Sequence, residues 1–150
     1  MAHTFSDLLV HVVFGTKDRR PTIDDSFRAP LFAYMCGILQ QHGAKEITIN
    51  GTRDHAHILM AAPATVALSD LVRQLKSSST LWVHEQYRES LAFSWQTGYG
   101  AFAVSRSNYL RVRSYIEQQE EHHRHKSFEE EFLAFLKKHN VRYDPAFLWR

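Results

Sequence analysis

The stretch Asp54-His55-Ala56-His57-Ile58-Leu59-Met60 leaves its backbone little choice. It is short and mostly apolar, Asn50-Gly51 precedes it as a turn signal, and Pro63 ends it, so it predicts a strand. On a strand, residues i and i+2 share a face about 7 Å apart at Cα. His55 and His57 therefore point the same way, and the small Ala56 turns from them. Two imidazoles fixed side by side are the start of a divalent-metal site that needs a third ligand.

The rest of the chain supplies partners for that strand. Residues 8–14, Leu-Leu-Val-His-Val-Val-Phe, predict a central strand buried on both faces, with His11 as a hydrogen-bonded core histidine. The loop from Gly15 to Thr22 is basic: Lys17 and Arg19 suit phosphates, and a solvated connection explains them equally well. Phe27, Leu31, Tyr34, Met35, Ile38 and Leu39 recur at helical spacing up to Gly43, a favourable residue just past a helix end. Ile47-Thr48-Ile49 alternates as a second strand and pairs with the His55 strand through a turn opened by Asn50-Gly51. Residues 69–87 predict a second helix with Ser69 as N-cap. On it Arg73, Lys76, Ser77 and Thr80 form a row suited to phosphate oxygens, although a solvated face is the commoner origin of such a row. Residues 93–104 predict a fourth strand or hairpin arm. Ser105 or Ser107 opens a third helix, and a fourth runs from Lys126 to His139, with an acidic first turn at Glu129 to Glu131 that matches the helix dipole. The apolar last residues, 143–150, are expected to dock on the domain or on a partner chain. The order β-α-β-β-α-β followed by helices predicts an α+β, ferredoxin-like (split βαβ) antiparallel sheet in one domain over 1–150.

Composition narrows the function. A net charge of +2 excludes a strongly basic nucleic-acid coat while permitting a polyanionic partner. One cysteine, Cys36, rules out an internal disulfide and argues against cysteine-bound zinc. No apolar run reaches the roughly 20 residues that span a bilayer, and the first residues lack a signal-peptide pattern, so a cytoplasmic protein without a membrane partner is expected.

The third helix carries Tyr115 and, four residues on, Gln119, which share a helix face. If that face covers the histidines, it brings a phenol and an amide oxygen to one ion. A His55-His57-Gln119 set suits Mg²⁺ or Mn²⁺ acting on a phosphate. A phenol has a pKa near 10 and needs such help to attack at neutral pH. The resulting phosphotyrosine bond would conserve the phosphodiester energy, which fits cutting and rejoining better than hydrolysis.

These residues carry a family resemblance. The chain resembles the single-strand DNA transposases of the 200/605 insertion-sequence class, among the HUH tyrosine nucleases. The resemblance runs through Val12-Val13-Phe14-Gly15-Thr16-Lys17, Asp54-His55-Ala56-His57-Ile58-Leu59, Leu71-Val72-Arg73-Gln74-Leu75-Lys76-Ser77-Ser78-Ser79 and Tyr115-Ile116-Glu117-Gln118-Gln119-Glu120-Glu121-His122-His123, then Phe128. It implies Tyr115 as nucleophile, His55, His57 and Gln119 as metal ligands, a 5′-phosphotyrosine intermediate, and single-stranded DNA with hairpin ends as substrate. It also implies a homodimer with composite active sites. Ala56 departs from the bulky residue usual between the histidines, and a packing change is expected from it. His122 and His123 match the pattern as helix-end or DNA-facing residues, and with His125 they form a cluster able to take an adventitious metal.

Three other readings fit less well. An amidohydrolase barrel needs roughly 250 residues. A two-histidine phosphodiesterase would need a second His-x-Thr/Ser element, which the sequence lacks. An inactive or domesticated hairpin-binding protein on the same fold is the closest rival, and Tyr115 is the residue that separates it from an enzyme.

Overall fold

The computed structural model describes residues 3–123 and 125–150, without the side chain of His122. The apolar runs form four strands, β1 (Leu9–Gly15), β2 (Lys45–Gly51), β3 (His55–Ala61) and β4 (Gly100–Ala103), in the order β2-β3-β1-β4. Each neighbouring pair is antiparallel, so β1 and β2 run parallel on either side of β3. Between them lie α1 (Arg28–Gln41) and α2 (Leu68–Gln86), and after β4 come α3 (Tyr109–Glu117), α4 (Gln119–His122) and α5 (Phe128–Lys138).

Strand alternation divides the sheet into two faces with different work. Val12 and Phe14 of β1 and Ala56, Ile58 and Met60 of β3 join Leu31, Met35 and Leu39 of α1 and Leu71, Leu75 and Val83 of α2 in the larger core. Burying each of these side chains other than Ala56 contributes about 1.5–3 kcal/mol, so this face holds the fold together. Val13 and Phe102 face the other way and pack with Phe128, Phe132 and Leu136 of α5. His11, His55 and His57 share that second face by register, with His57 opposite Val13 and His55 opposite Gly15.

Several boundaries differ from the sequence-based expectation. Asn50 and Gly51 are strand residues paired with His57 and Ala56, and the turn is residues 52–54. Gly51 is required there because a Cβ would lie 2.1 Å from the His55 carbonyl oxygen. Gly43 does follow α1 as expected, at φ 94. Ala67, not Ser69, precedes α2, and no side chain caps it. The fourth strand is confined to Gly100–Ala103, and Trp95 only bridges to Thr16. The third helix breaks at Gln118, so Gln119 begins a separate turn. Ser127 caps α5, its hydroxyl accepting from Glu130 N at 3.2 Å. The C-terminal residues dock on their own chain: Trp149 packs on Phe128 and Phe132, and the Leu148 carbonyl accepts from Gln96 Nε2 at 2.9 Å.

Candidate active site

His55 and His57 leave β3 side by side and are both fully buried. His55 stacks flat on Phe128, with centroids 4.2 Å apart. Its Nδ1 lies 2.7 Å from Asp54 Oδ1 and 3.1 Å from Thr52 Oγ1, which fixes the ring and leaves Nε2 pointing into the site. Burial raises the Asp54 carboxyl, but His55, Thr52 and His123 together outweigh it and keep the group below the usual carboxylate value. His55 Nε2 faces Gln119 Oε1 at 3.1 Å. With the proton on Nδ1, two acceptors are turned toward one point, an arrangement that a cation reconciles.

His57 is held from both ends. Its Nε2 lies 2.8 Å from Glu131 Oε1, and its Nδ1 lies 2.8 Å from His11 Nε2 on β1. Burial pulls His57 down to about 4 against the pull of Glu131, so the ring is neutral at pH 7. Burial also holds His11 well below its ordinary value, helped by its neighbour His57. Burial alone would raise Glu131, but His123, His57 and Tyr115 press the other way and hold it far below the carboxylate range. An ionised Glu131 accepts from His57 Nε2–H, so the neutral His57 accepts at Nδ1 from His11 Nε2–H.

Glu131 also links the histidines to the tyrosine. Tyr115 Oη donates to Glu131 Oε2. Burial, and then Glu131, push the phenol above its usual value, so Tyr115 is protonated in this state. The helix that carries it is tied to the sheet by Asn50, whose Nδ2 donates to the carbonyls of Ile116 at 3.0 Å and Glu117 at 3.1 Å.

His123 completes the cluster. Its Nε2 lies 3.0 Å from Gln119 Oε1 and 3.2 Å from Glu131 Oε1. Ligand atoms of His55, His57, His123 and Glu131 all lie within 4.8 Å of one another. Ligands about 2.1 Å from one ion stand about 3.0 Å apart at right angles and about 3.4 Å apart in a tetrahedron. The observed neighbour separations, 2.8 Å to 3.6 Å, match that spacing. The cluster is of a kind that could hold a divalent ion, with small shifts of its wider-spaced ligand atoms.

The expected residues thus fall into two groups. Tyr115, His55, His57 and Gln119 meet within one chain. Lys17, Arg19, Arg73 and Lys76 lie away from that cluster. Lys17 is exposed, and Arg19 pairs with Glu129 and sits over Trp149 at 4.9 Å. Arg73 pairs with Asp70 at 2.9 Å on α2, across the sheet from the histidines. Lys76 Nζ donates to the carbonyls of Gln96 at 2.8 Å and Thr97 at 3.3 Å, and burial pulls it down to about 8. The lysine therefore fastens α2 to the segment before β4. Glu131 and His123 were not among the expected ligands, and His123 turns inward and not toward solvent. The His122 side chain lies outside the described residues.

Known proteins share this chain's sequence pattern and fold. The family model described as "Transposase IS200 like" matches residues 4–119. The transposase for insertion sequence element IS200 of Salmonella typhimurium is 26% identical over 125 residues, 79% of this chain and 81% of that protein. A crystal structure from Deinococcus radiodurans R1, described as that of a transposase, superposes with TM-score 0.63 at 22% identity, covering 79% of this chain and 95% of that one. A REP-associated tyrosine transposase bound to a REP hairpin superposes with TM-score 0.57 at 15% identity, covering 79% and 69%. These two structures speak for the fold, and the family match speaks for the sequence. The chain belongs to the IS200-like family of transposases.

Proposed function

We propose that this transposase cuts and rejoins single-stranded DNA beside hairpins, with Tyr115 as nucleophile and His55, His57, His123, Glu131 and Gln119 as the groups that hold a divalent ion. The observation that carries the reading is Glu131: one oxygen takes the Tyr115 hydroxyl, and the other stands among the histidines. In the cleavage step Tyr115 Oη bonds to phosphorus and the bond from phosphorus to the 3′ oxygen breaks. The phenol proton passes to Glu131 Oε2, and the departing 3′ oxygen takes a proton from solvent to become a free hydroxyl. The DNA end stays on Tyr115 as a 5′-phosphotyrosine, and attack by another 3′-hydroxyl reverses the chemistry. A bound divalent ion would stabilise charge on the phosphate oxygens. Three imidazoles suit Mn²⁺ better than Mg²⁺, because nitrogen donors favour first-row transition ions.

Hairpin ends as the recognised feature are supported by the solved relative bound to a REP hairpin. Within one chain the tyrosine already reaches its own histidines, which supports a site that works in cis. The resemblance implies a homodimer, and the exposed Leu110 of α3 is available for such a contact. No described helix is long and apolar enough to cross a membrane. The test is incubation with Mn²⁺ and labelled hairpin oligonucleotides, followed by a denaturing gel. The wild type should leave a denaturant-stable protein–DNA adduct that Tyr115→Phe abolishes and His55→Ala strongly reduces. Hairpin binding without an adduct would identify the inactive binder.

A further inference from the structure

The cluster itself is closed: His55, His57 and Gln119 are fully buried and Glu131 is 3% exposed. Two cavities among the described residues are lined by Tyr115 and would admit the proposed DNA strand, and they differ in charge. One, of about 280 Å³, opens between α3 and α5 and has Arg111, Lys126 and Lys138 around Tyr115 and Glu131. The other has Glu121, Glu130 and Glu131, with Lys126 as its lysine and His125 beside it. Among the described residues, the first presents three cations against one carboxylate, and the second presents one lysine against three carboxylates.

The first cavity is built by two helix faces. Arg111 and Val112 precede Tyr115 by four and three residues on α3, and Ala134 and Phe135 stand three and four residues after Glu131 on α5, with Lys138 three residues beyond Phe135. Its inner end is His11, and Lys138 is close enough to contribute to the low proton affinity of that ring. Arg111, Lys126 and Lys138 make no ion pair among the described residues, whereas Arg113, two residues beyond Arg111, is paired with Glu117 at 2.9 Å. Unpaired cations beside apolar walls suit one nucleotide of a single strand: phosphates take the cations, and a base lies against Val112, Ala134 and Phe135.

We infer that this cavity seats the nucleotide flanking the scissile phosphate, with Arg111 and Lys138 as its phosphate-binding residues, so that the strand enters from the α3–α5 side. The inference rests on the proposed function for the role of Tyr115, and its test is separable. Binding of a labelled oligothymidylate is followed by anisotropy between about 50 and 200 mM salt, using Tyr115→Phe protein without divalent ion. Each phosphate contact on a single strand contributes about 0.7 to the slope of log affinity against log salt. Arg111→Ala and Lys138→Ala should each lower the slope by about 0.7, and Arg113→Ala should leave it unchanged. In the Tyr115 wild-type background the same two variants should raise the DNA concentration needed for half-maximal adduct formation. Unchanged slopes for both variants would overturn the cavity assignment even if the wild type forms its adduct. An equal fall with Arg113→Ala would overturn it too, because the attraction would then be diffuse. Lowered slopes with no adduct from the wild type would uphold the cavity and sink the catalytic reading.

Discussion

His11 should govern how tightly the cluster holds a cation, although it lies outside the cluster. Its Nε2 stands 2.8 Å from His57 Nδ1, and both rings are buried. In the structure His57 donates a hydrogen bond from Nε2–H to the Glu131 carboxylate, so His11 must donate to Nδ1. For His57 to offer the Nε2 lone pair to a cation, its proton has to sit on Nδ1, and His11 Nε2 must then accept. A histidine can exchange these roles by changing tautomer, which a purely apolar or donor-only side chain cannot do. His11→Phe removes the partner while keeping an aromatic ring against Phe135, which the imidazole meets edge-on at 5.1 Å. The cation-ready form of His57 would then bury an unsatisfied N–H, at a cost of about 1–3 kcal/mol. That corresponds to roughly a 10- to 100-fold loss of Mn²⁺ affinity, the range typical of residues that orient a metal ligand. Isothermal titration calorimetry with MnCl₂ measures it, and His11→Gln, which can both donate and accept, should recover part of the loss. If His11→Phe binds Mn²⁺ within twofold of the wild type, the ring is only packing and the tautomer argument fails.

Phe128→Ala should be the most destabilising single change on the site face, because Phe128 is 2% exposed and supports His55, Phe132 and Trp149 together. A loss of about 3–5 kcal/mol is expected by urea denaturation, and a loss under 1 kcal/mol would show that α5 is not held by this ring. Stability without metal should also fall as the pH drops from 6.5 toward 4. His57 titrates at about 4 when folded and near 6.5 when unfolded, so the unfolded chain binds the extra proton in that window. The contribution is fully present above pH 6.5 and lost on acidification by up to about 1.4 kcal/mol per pH unit, and His11, shifted the same way, adds to it. Urea midpoints that stay constant from pH 6.5 to 4 would contradict the buried neutral pair.

What the sequence makes legible here is what periodicity and chain stops encode. The runs at 8–14 and 55–60, the helix ending before Gly43 and the pairing of β2 with β3 are all of this kind. Asn50-Gly51 misleads because the pair is a common turn dipeptide. At Gly51 the glycine answers a close approach of the His55 carbonyl, and Asn50 holds the end of α3. The predicted fourth strand is too long because Phe93 and Trp95 belong to the core through irregular backbone. Glu131 was hidden in an acidic first turn that the helix dipole explains. The available signal was its position, between Phe128 and Phe132 on the apolar face of α5, where an unpaired carboxylate is costly. His123 continues the four-residue spacing from Tyr115 through Gln119 by one more step, and the break at Gln118 does not disrupt it.

The double use of Glu131 makes a further prediction, because two properties should move in opposite directions when its charge is removed. In Glu131→Gln the phenol loses a neighbouring anion, so Tyr115 should become more acidic, while remaining above its ordinary value because burial, the larger cause, persists. The same change removes the anionic oxygen from among His55, His57 and His123, so Mn²⁺ should bind about tenfold or more weakly. A carboxylate that acted only on the tyrosine would change the first property alone, and one that served only the cation would change the second. Spectrophotometric titration of Glu131→Gln against Glu131→Gln/Tyr115→Phe isolates the phenol, and calorimetry gives the metal affinity. The reasoning requires both shifts. A phenol that titrates as in the wild type would mean that the contact between Tyr115 and Glu131 does not control the protonation of the nucleophile.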